Sequence, residues 1–281
     1  MLSYRHAFHA GMHADVLKHC VLVQALKYLL RKEKPLWYID THAGADSYAL
    51  HGEYASKNAE FETGIARLWL RSDLPPLLRD YVELVRADNP QGALKYYPGS
   101  PRIADRLLRK QDRLRLFELH STEARGLAHA YRDAAPRVLV QAGDGFAGLL
   151  SLLPPPSRRG LVLIDPSYED KEDYRRVVKT LEGALRRFAT GTFLVWYPKV
   201  ARREAQQLPQ RLMQVKPTGW VHASLTVKAP PAGGLGIYGS GIFIVNPPYT
   251  LEGELRSAMP YLAKVLGQDE HAGFELESKP D

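Results

Sequence analysis

From residue 16 to residue 30, Val16, Leu17, Cys20, Val21, Val23, Leu26, Leu29 and Leu30 recur mostly at three- and four-residue steps. That spacing predicts a helix with one apolar stripe. After Pro35 the pattern becomes a short continuous run, Leu36-Trp37-Tyr38-Ile39, which ends in Asp40-Thr41-His42-Ala43-Gly44-Ala45-Asp46. A buried strand that runs into an acidic turn of small residues is how ligand sites begin in open α/β sheets. The next clear strand, residues 114–119, follows about seventy residues later, too far for an ordinary crossover. Phe61, Ile65 and Leu68 fit one helix, and Leu78, Tyr81, Val82 and Val85 fit another, so residues 50–98 are expected to form a small helical insert. Pro98-Gly99-Ser100-Pro101 closes it, with Ser100 as an N-cap and Pro101 opening the crossover helix.

The rhythm then becomes regular. Apolar runs at 138–141, 161–164 and 192–197 predict strands, with a helix after the Asp165 turn that faces Tyr174, Val177, Val178, Leu181 and Leu185 inward, another around 201–213, and two late strands at 223–228 and 241–245. Short apolar strands alternating with amphipathic helices predict an α/β fold, a mostly parallel sheet with helices on both faces and one antiparallel edge strand. The main domain would comprise 1–49 and 99–267, and residues 268–281 would be a loose polar tail.

Composition narrows the function classes. Hydrophobic residues at 45% and charged residues at 25% exclude a disordered chain. No window reaches the roughly 18 uninterrupted apolar residues of a membrane span, and the opening residues lack the apolar core of a secretory signal. The one cysteine, Cys20, excludes an internal disulfide and a cysteine-based zinc site, so a reducing cytoplasm is the expected compartment. An excess of 38 Lys+Arg over 31 Asp+Glu points toward a polyanionic partner. The pairs Arg158-Arg159, Arg175-Arg176, Arg186-Arg187 and Arg202-Arg203 are either solvated helix faces or, together, phosphate contacts.

Four acids close successive predicted strands: Asp40, Glu118, Asp144 and Asp165. A carboxylate after the second strand can accept both hydroxyls of a ribose, and Asp144-Gly145 can serve an adenine amino group and ring. Gly44 lets the backbone approach a ligand closely. Without a Gly-x-Gly-x-x-Gly or Walker motif, S-adenosylmethionine is the natural candidate. Asp165-Pro166-Ser167-Tyr168 is similar to the Asp-Pro-Pro-Tyr signature of amino methyltransferases acting on adenine N6. The Asp165 carboxylate and Pro166 carbonyl would accept the two amine protons and aim the nitrogen lone pair at the methyl donor. Tyr168 would offer a ring for a flipped-out base to stack on. Asn246-Pro247-Pro248-Tyr249 matches the signature more closely but ends the last strand, so position favours Asp165. His9 and His13 would share a helical face, yet no third ligand at metal spacing accompanies them, and no metal is expected.

With Met1-Leu2-Ser3-Tyr4-Arg5-His6-Ala7-Phe8-His9-Ala10-Gly11, His13-Ala14-Asp15-Val16-Leu17-Lys18-His19, Asp40-Thr41-His42-Ala43-Gly44-Ala45 and the Asp165 turn, the chain resembles the ribosomal RNA large subunit methyltransferase J family over essentially its whole length. The resemblance implies a Rossmann-like methyltransferase sheet with a helical insert, and S-adenosylmethionine-dependent methylation of N6 of one adenine in 23S rRNA. It implies that His19, His42, Ser100, Glu118, Asp144, Gly145 and Asp165 line the cofactor pocket, that Asp165 accepts the proton and that Tyr4 reaches the RNA. It further implies a cytoplasmic monomer working on rRNA not fully assembled with ribosomal proteins. Three residues depart from the family pattern: Ser167 in place of the second proline, Met12 in place of asparagine, and Asp46 in place of the first loop's second glycine. A DNA adenine-N6 methyltransferase and a non-catalytic nucleic-acid-binding protein that keeps the pocket are the alternative readings.

Overall fold

The computed structural model describes residues 6–50, 59–233 and 236–280. Helix α1 (His13–Leu29) leads to β1 (Trp37–Asp40) and a short β2 (Ser47–Ala49); α2 (Ala66–Trp69), α3 (Pro76–Arg86) and β3 (Tyr96–Pro98) follow. Next come α4 (Ser100–Leu107), β4 (Arg113–Glu118), α5 (Ser121–Ala130), β5 (Val138–Ala142), α6 (Gly145–Leu152) and β6 (Gly160–Ile164). The last third holds α7 (Glu172–Arg187), β7 (Thr192–Lys199), α8 (Arg203–Gln214), β8 (Trp220–Thr226), β9 (Gly239–Val245), α9 (Leu251–Leu266) and β10 (Gly273–Lys279).

Eight strands form one sheet in the order β10-β8-β9-β7-β6-β1-β4-β5. The five strands from β7 to β5 are mutually parallel. Every residue of β6 is buried, as expected of a central strand covered on both faces. With β1 at the centre and β6 and β4 on either side, the carboxyl ends of the strands face one crevice, where ligands bind in open α/β sheets.

The antiparallel part is larger than one edge strand. Because β8 and β9 form a hairpin, β9 slots between β7 and β8 and runs against both. The expected loose tail is instead β10, paired antiparallel with β8 from Gly273↔Thr226 to Lys279↔Trp220. Its charged side chains are those of an edge strand that discourages further pairing.

Helix α1 also departs from its predicted single stripe. It is buried on nearly every side, between the sheet, α3, α4 and α9. Its polar residues His13, Asp15, Lys18 and His19 are therefore buried too, and buried polar groups must find partners. Arg109 and Arg159 close its far end, donating to the carbonyls of Lys32 and Leu29.

The insert shares this core: Ile65, Leu68, Tyr81, Val82 and Val85 pack in the same cluster as Val16, Leu17 and Leu26. Its two ends meet where β2 pairs with β3, Tyr48 opposite Tyr97, a small sheet that no pattern in the sequence suggested. Ser100 is not the N-cap of α4. Gly99 holds that position, and the Ser100 hydroxyl donates instead to Asp40 at 2.7 Å.

Candidate active site

A cavity of about 300 Å³ opens at the carboxyl ends of β1, β4, β5 and β6 and is walled on the far side by α1. The turns that shape it depend on two glycines. Gly44 sits at φ +63, and a Cβ there would come within 2.6 Å of the Tyr48 hydroxyl; at Gly145 it would lie 1.8 Å from the Thr41 carbonyl. Both positions exclude any side chain.

Of the four acids, three line the cavity and one lies under it. Asp40 is fully buried, accepting hydrogen bonds from Tyr38 Oη and Ser100 Oγ, both at 2.7 Å, and from the His42 amide. Burial pushes its carboxyl up to about 6 despite those donors. Glu118 is held by the backbone: Gly44 N donates to one oxygen at 2.8 Å and His120 N to the other at 2.6 Å. A carboxylate has about four acceptor sites, so two remain for ligand hydroxyls.

Asp144 caps α6 by accepting from Phe146 N at 2.9 Å, and its other oxygen pairs with Arg176. The guanidinium of Arg176 lies over the Phe146 ring, 4.4 Å from its centre, and Phe146 meets His42 edge-on. The adenine end expected here is bounded by the His42 ring, a carboxylate and an arginine, with Phe146 buried against His42 and Arg176. His42 is neutral: burial takes its pKa down to about 3.

Asp165 follows β6 and lines the cavity with Pro166 and Ser167. Its Oδ2 accepts from Lys18 Nζ at 2.7 Å, and the same ammonium reaches Asp15 Oδ1 at 2.9 Å. Asp15 Oδ2 in turn takes the Gly11 amide and His6 Nε2, each at 2.9 Å. Flanked by two carboxylates, Lys18 stays charged even though burial disfavours the ammonium. Asp15 is likewise held well below the usual carboxylate range against its burial, chiefly by His6 and Lys18.

Lys18, Asp15 and His6 were missed as site residues by sequence reasoning. For Lys18 and Asp15 the available signal was the polar interruption of the α1 stripe, which looks like an ordinary solvated face until the Asp165 turn and the residues before the helix are seen to meet it.

Tyr168 is not where the sequence suggested. Its backbone adopts φ +55, and the ring turns into the core, 3% exposed and 4.6 Å from Tyr174. Its hydroxyl donates to the Trp196 carbonyl at 2.6 Å. A buried ring fixed in this way is no platform for a base. Among the described residues the cavity wall carries the rings of Tyr48 and Trp196, and Trp196, with Lys18 Nζ 5.6 Å from its centre, is the one on the Lys18 side.

The competing Asn246 turn lies at the other end of the sheet. Asn246 follows Val245, which pairs with Phe193, and its carbonyl accepts from Thr192 at the amino end of β7. Its side chain donates to the carbonyls of Ala189 and Gly191, the work of a structural turn.

The amino-terminal histidines do not gather. His9 bonds Glu60 at 2.8 Å, while His13 is buried at the start of α1, its pKa lowered by burial to about 4. Tyr4 lies outside the described residues. The basic pairs are partly used by the fold: Arg159 at the end of α1, Arg187 on the Leu150 carbonyl and Arg202 on the Tyr168 carbonyl.

The family model described as ribosomal RNA large subunit methyltransferase D, RlmJ, matches residues 33–277. This chain belongs to that family. The large subunit methyltransferase J of Escherichia coli K12 is 44% identical over 269 residues, covering 95% of this chain and 94% of its own. The Haemophilus influenzae protein of the same name is 44% identical over 278 residues, covering 99% and 98%. A crystal structure of a Legionella pneumophila protein superposes with a TM-score of 0.86 at 37% identity, covering 96% of this chain and 98% of that one.

As a member of the RlmJ family, the chain places its three departures as follows. Asp46 turns away from the cavity and is held by Arg102 at 2.9 Å and by the Tyr131 hydroxyl at 2.6 Å. Ser167 and Met12 lie on the cavity wall. S-adenosylmethionine, the family's methyl donor, fits the residues present. Glu118 has acceptor capacity to spare, and His19 Nε2 is a buried polar atom on the cavity wall without a partner among the described residues.

Proposed function

We propose that this protein transfers a methyl group to N6 of one adenine in 23S rRNA, adenine 2030 in the family's nomenclature, at the Asp165 turn. It is an S-adenosylmethionine-dependent rRNA methyltransferase of the RlmJ family. The observation that carries the reading is the position of Asp165, a carboxylate at the tip of β6 with one oxygen held by Lys18 and the other, Oδ1, without a partner among the described residues.

The cofactor supplies an activated methyl group on a sulfonium. The protein's part is to orient and deprotonate the amine. An exocyclic amine is a weak nucleophile because its lone pair is delocalised into the ring. Accepting its protons at Asp165 Oδ1 and the Pro166 carbonyl localises that pair and points it. Lys18 fixes Asp165 so that this orientation costs no reorganisation during the reaction. As the N–C bond forms at the expense of the donor's S–C bond, which would leave a neutral thioether, the amine proton would pass to Asp165, directly or through water.

Glu118 would take the ribose hydroxyls, and Asp144 with Phe146 the adenine of the cofactor. Trp196 offers the substrate base an aromatic wall in the place first expected of Tyr168. An adenine that enters such a cavity must leave its stack, which favours RNA not yet covered by ribosomal proteins, in the cytoplasm. A transfer assay with labelled donor and 23S rRNA transcript tests the reading. Digestion should yield N6-methyladenosine, Asp165→Ala should abolish it, and duplex DNA should be a far poorer acceptor. Equal transfer by Asp165→Ala, or preference for duplex DNA, refutes it.

A further inference from the structure

Behind the α1 wall runs a line of three buried groups that the reaction as described does not use. His19 Nδ1 lies 2.8 Å from the Tyr97 hydroxyl, and that hydroxyl lies 2.8 Å from the Tyr81 hydroxyl. All three side chains are buried, Tyr81 and Tyr97 completely. His19 itself lines the cavity, and with Nδ1 turned to Tyr97 the atom left over is Nε2, buried and without a partner among the described residues. Burial, and then the neighbouring Lys18 ammonium, hold the imidazole neutral, so one nitrogen carries the proton and the other does not.

The hydroxyl chain decides which. If His19 Nδ1 donated to Tyr97, Tyr97 would donate to Tyr81, and the Tyr81 proton would have no acceptor, since among the described residues its hydroxyl meets only Tyr97. An orphaned donor in the core is the costly arrangement. In the opposite direction Tyr81 donates to Tyr97 and Tyr97 donates to Nδ1, so both hydroxyl protons are used and the one donor left over faces the cavity, where a ligand can accept from it. The proton of His19 then sits on Nε2.

We propose that Tyr81 and Tyr97, both contributed by the insert, are positioning residues that hold His19 as a hydrogen-bond donor toward the carboxylate of the cofactor's methionine end. The inference rests on S-adenosylmethionine occupying the strand-tip cavity. Glu118 and Asp165 repel a carboxylate, and Lys18 is already shared by two acids. His19 Nε2 is the uncommitted polar atom on the α1 wall. The insert thereby acquires a part in cofactor recognition as well as in the core.

The test compares two ligands by calorimetry. S-adenosylhomocysteine carries the amino-acid carboxylate, and 5′-methylthioadenosine lacks it. Tyr97→Phe, which removes one oxygen from the chain, should weaken S-adenosylhomocysteine about tenfold and leave methylthioadenosine within twofold. Equal weakening of both ligands, or of neither, overturns the proposal. Failure of the wild-type protein to bind either one would instead remove the cavity reading on which it stands. A second measurement needs no variant: histidine ¹H–¹⁵N correlation spectra of the wild-type protein should show His19 protonated at Nε2, and protonation at Nδ1 contradicts the proposal.

Discussion

Lys18→Met keeps most of the side-chain volume and removes the charge that joins α1 to the catalytic turn. The ammonium lies 2.9 Å from Asp15 and 2.7 Å from Asp165, in a setting where the Lys18 and Asp15 side chains are 5% and 1% exposed. Deleting one partner of a buried pair typically costs about 3–5 kcal/mol, because the other charge stays buried. Asp15 keeps His6 and the Gly11 amide, and Asp165 borders the cavity, so the low end applies, about 3 kcal/mol. Unfolding entropy near 2.1 cal/mol/K per residue gives about 0.6 kcal/mol/K for this chain, and a fall in Tm of about 5 °C. Urea and thermal unfolding of Lys18→Met, Asp15→Asn and the double variant would measure it. Removing both charges should cost less than the sum of the single changes by about 1–2 kcal/mol. A single variant within about 0.5 kcal/mol of wild type, or strictly additive costs, would show that the three-charge bridge does not hold the site as described.

Other consequences follow from the same geometry. Lys18→Met should also lower methyl transfer about 100-fold or more while changing S-adenosylhomocysteine affinity less than about threefold, and a parallel loss of both would contradict its placement on Asp165. Tyr168→Phe should cost about 1 kcal/mol of stability for the lost bond to the Trp196 carbonyl and leave the RNA KM unchanged, whereas Trp196→Ala should raise that KM; the reverse pattern would return the stacking role to Tyr168. Asp46→Ala should leave cofactor affinity within about twofold in calorimetry, since Arg102 and Tyr131 hold this carboxylate away from the cavity; a larger change would place Asp46 at the cofactor. His222 is buried beside Tyr197, and burial lowers its pKa from 6.5 to about 4. The unfolded chain binds that proton first, so the stability linked to His222 is present above pH 6.5 and lost as pH falls toward 4. The loss, measured against His222→Phe by urea unfolding, should reach about 3 kcal/mol, and parallel pH profiles for the two proteins would refute it.

The parts of the fold that could be read from the sequence were those whose pattern reports burial directly. The apolar runs of β1, β6 and β7 emerge from local chemistry, because a strand covered on both faces must be apolar, and the acidic turns after β1, β4, β5 and β6 stand out because a strand tip need not be. What escaped depended on partners distant in sequence. Nothing local to β10 says that its alternating charges will pair with β8, and the polar residues of α1 look solvated until His6, Asp165 and Tyr97 are seen to partner them. Asp40 and Ser100 illustrate the same limit. Asp40 is buried beneath the cavity, and the Ser100 hydroxyl donates to Asp40 instead of capping its helix. Tyr168 belongs to the right turn, but a left-handed backbone at that residue sends its ring inward, and no spacing rule forecasts that.

The most direct test of the account is a crystal structure with S-adenosylhomocysteine. The ligand should lie along the strand tips with its adenine at Asp144 and Phe146, its ribose on Glu118 and its sulfur nearest Asp165 among the tip carboxylates. A ligand in the reverse orientation, or bound away from this edge of the sheet, would contradict it.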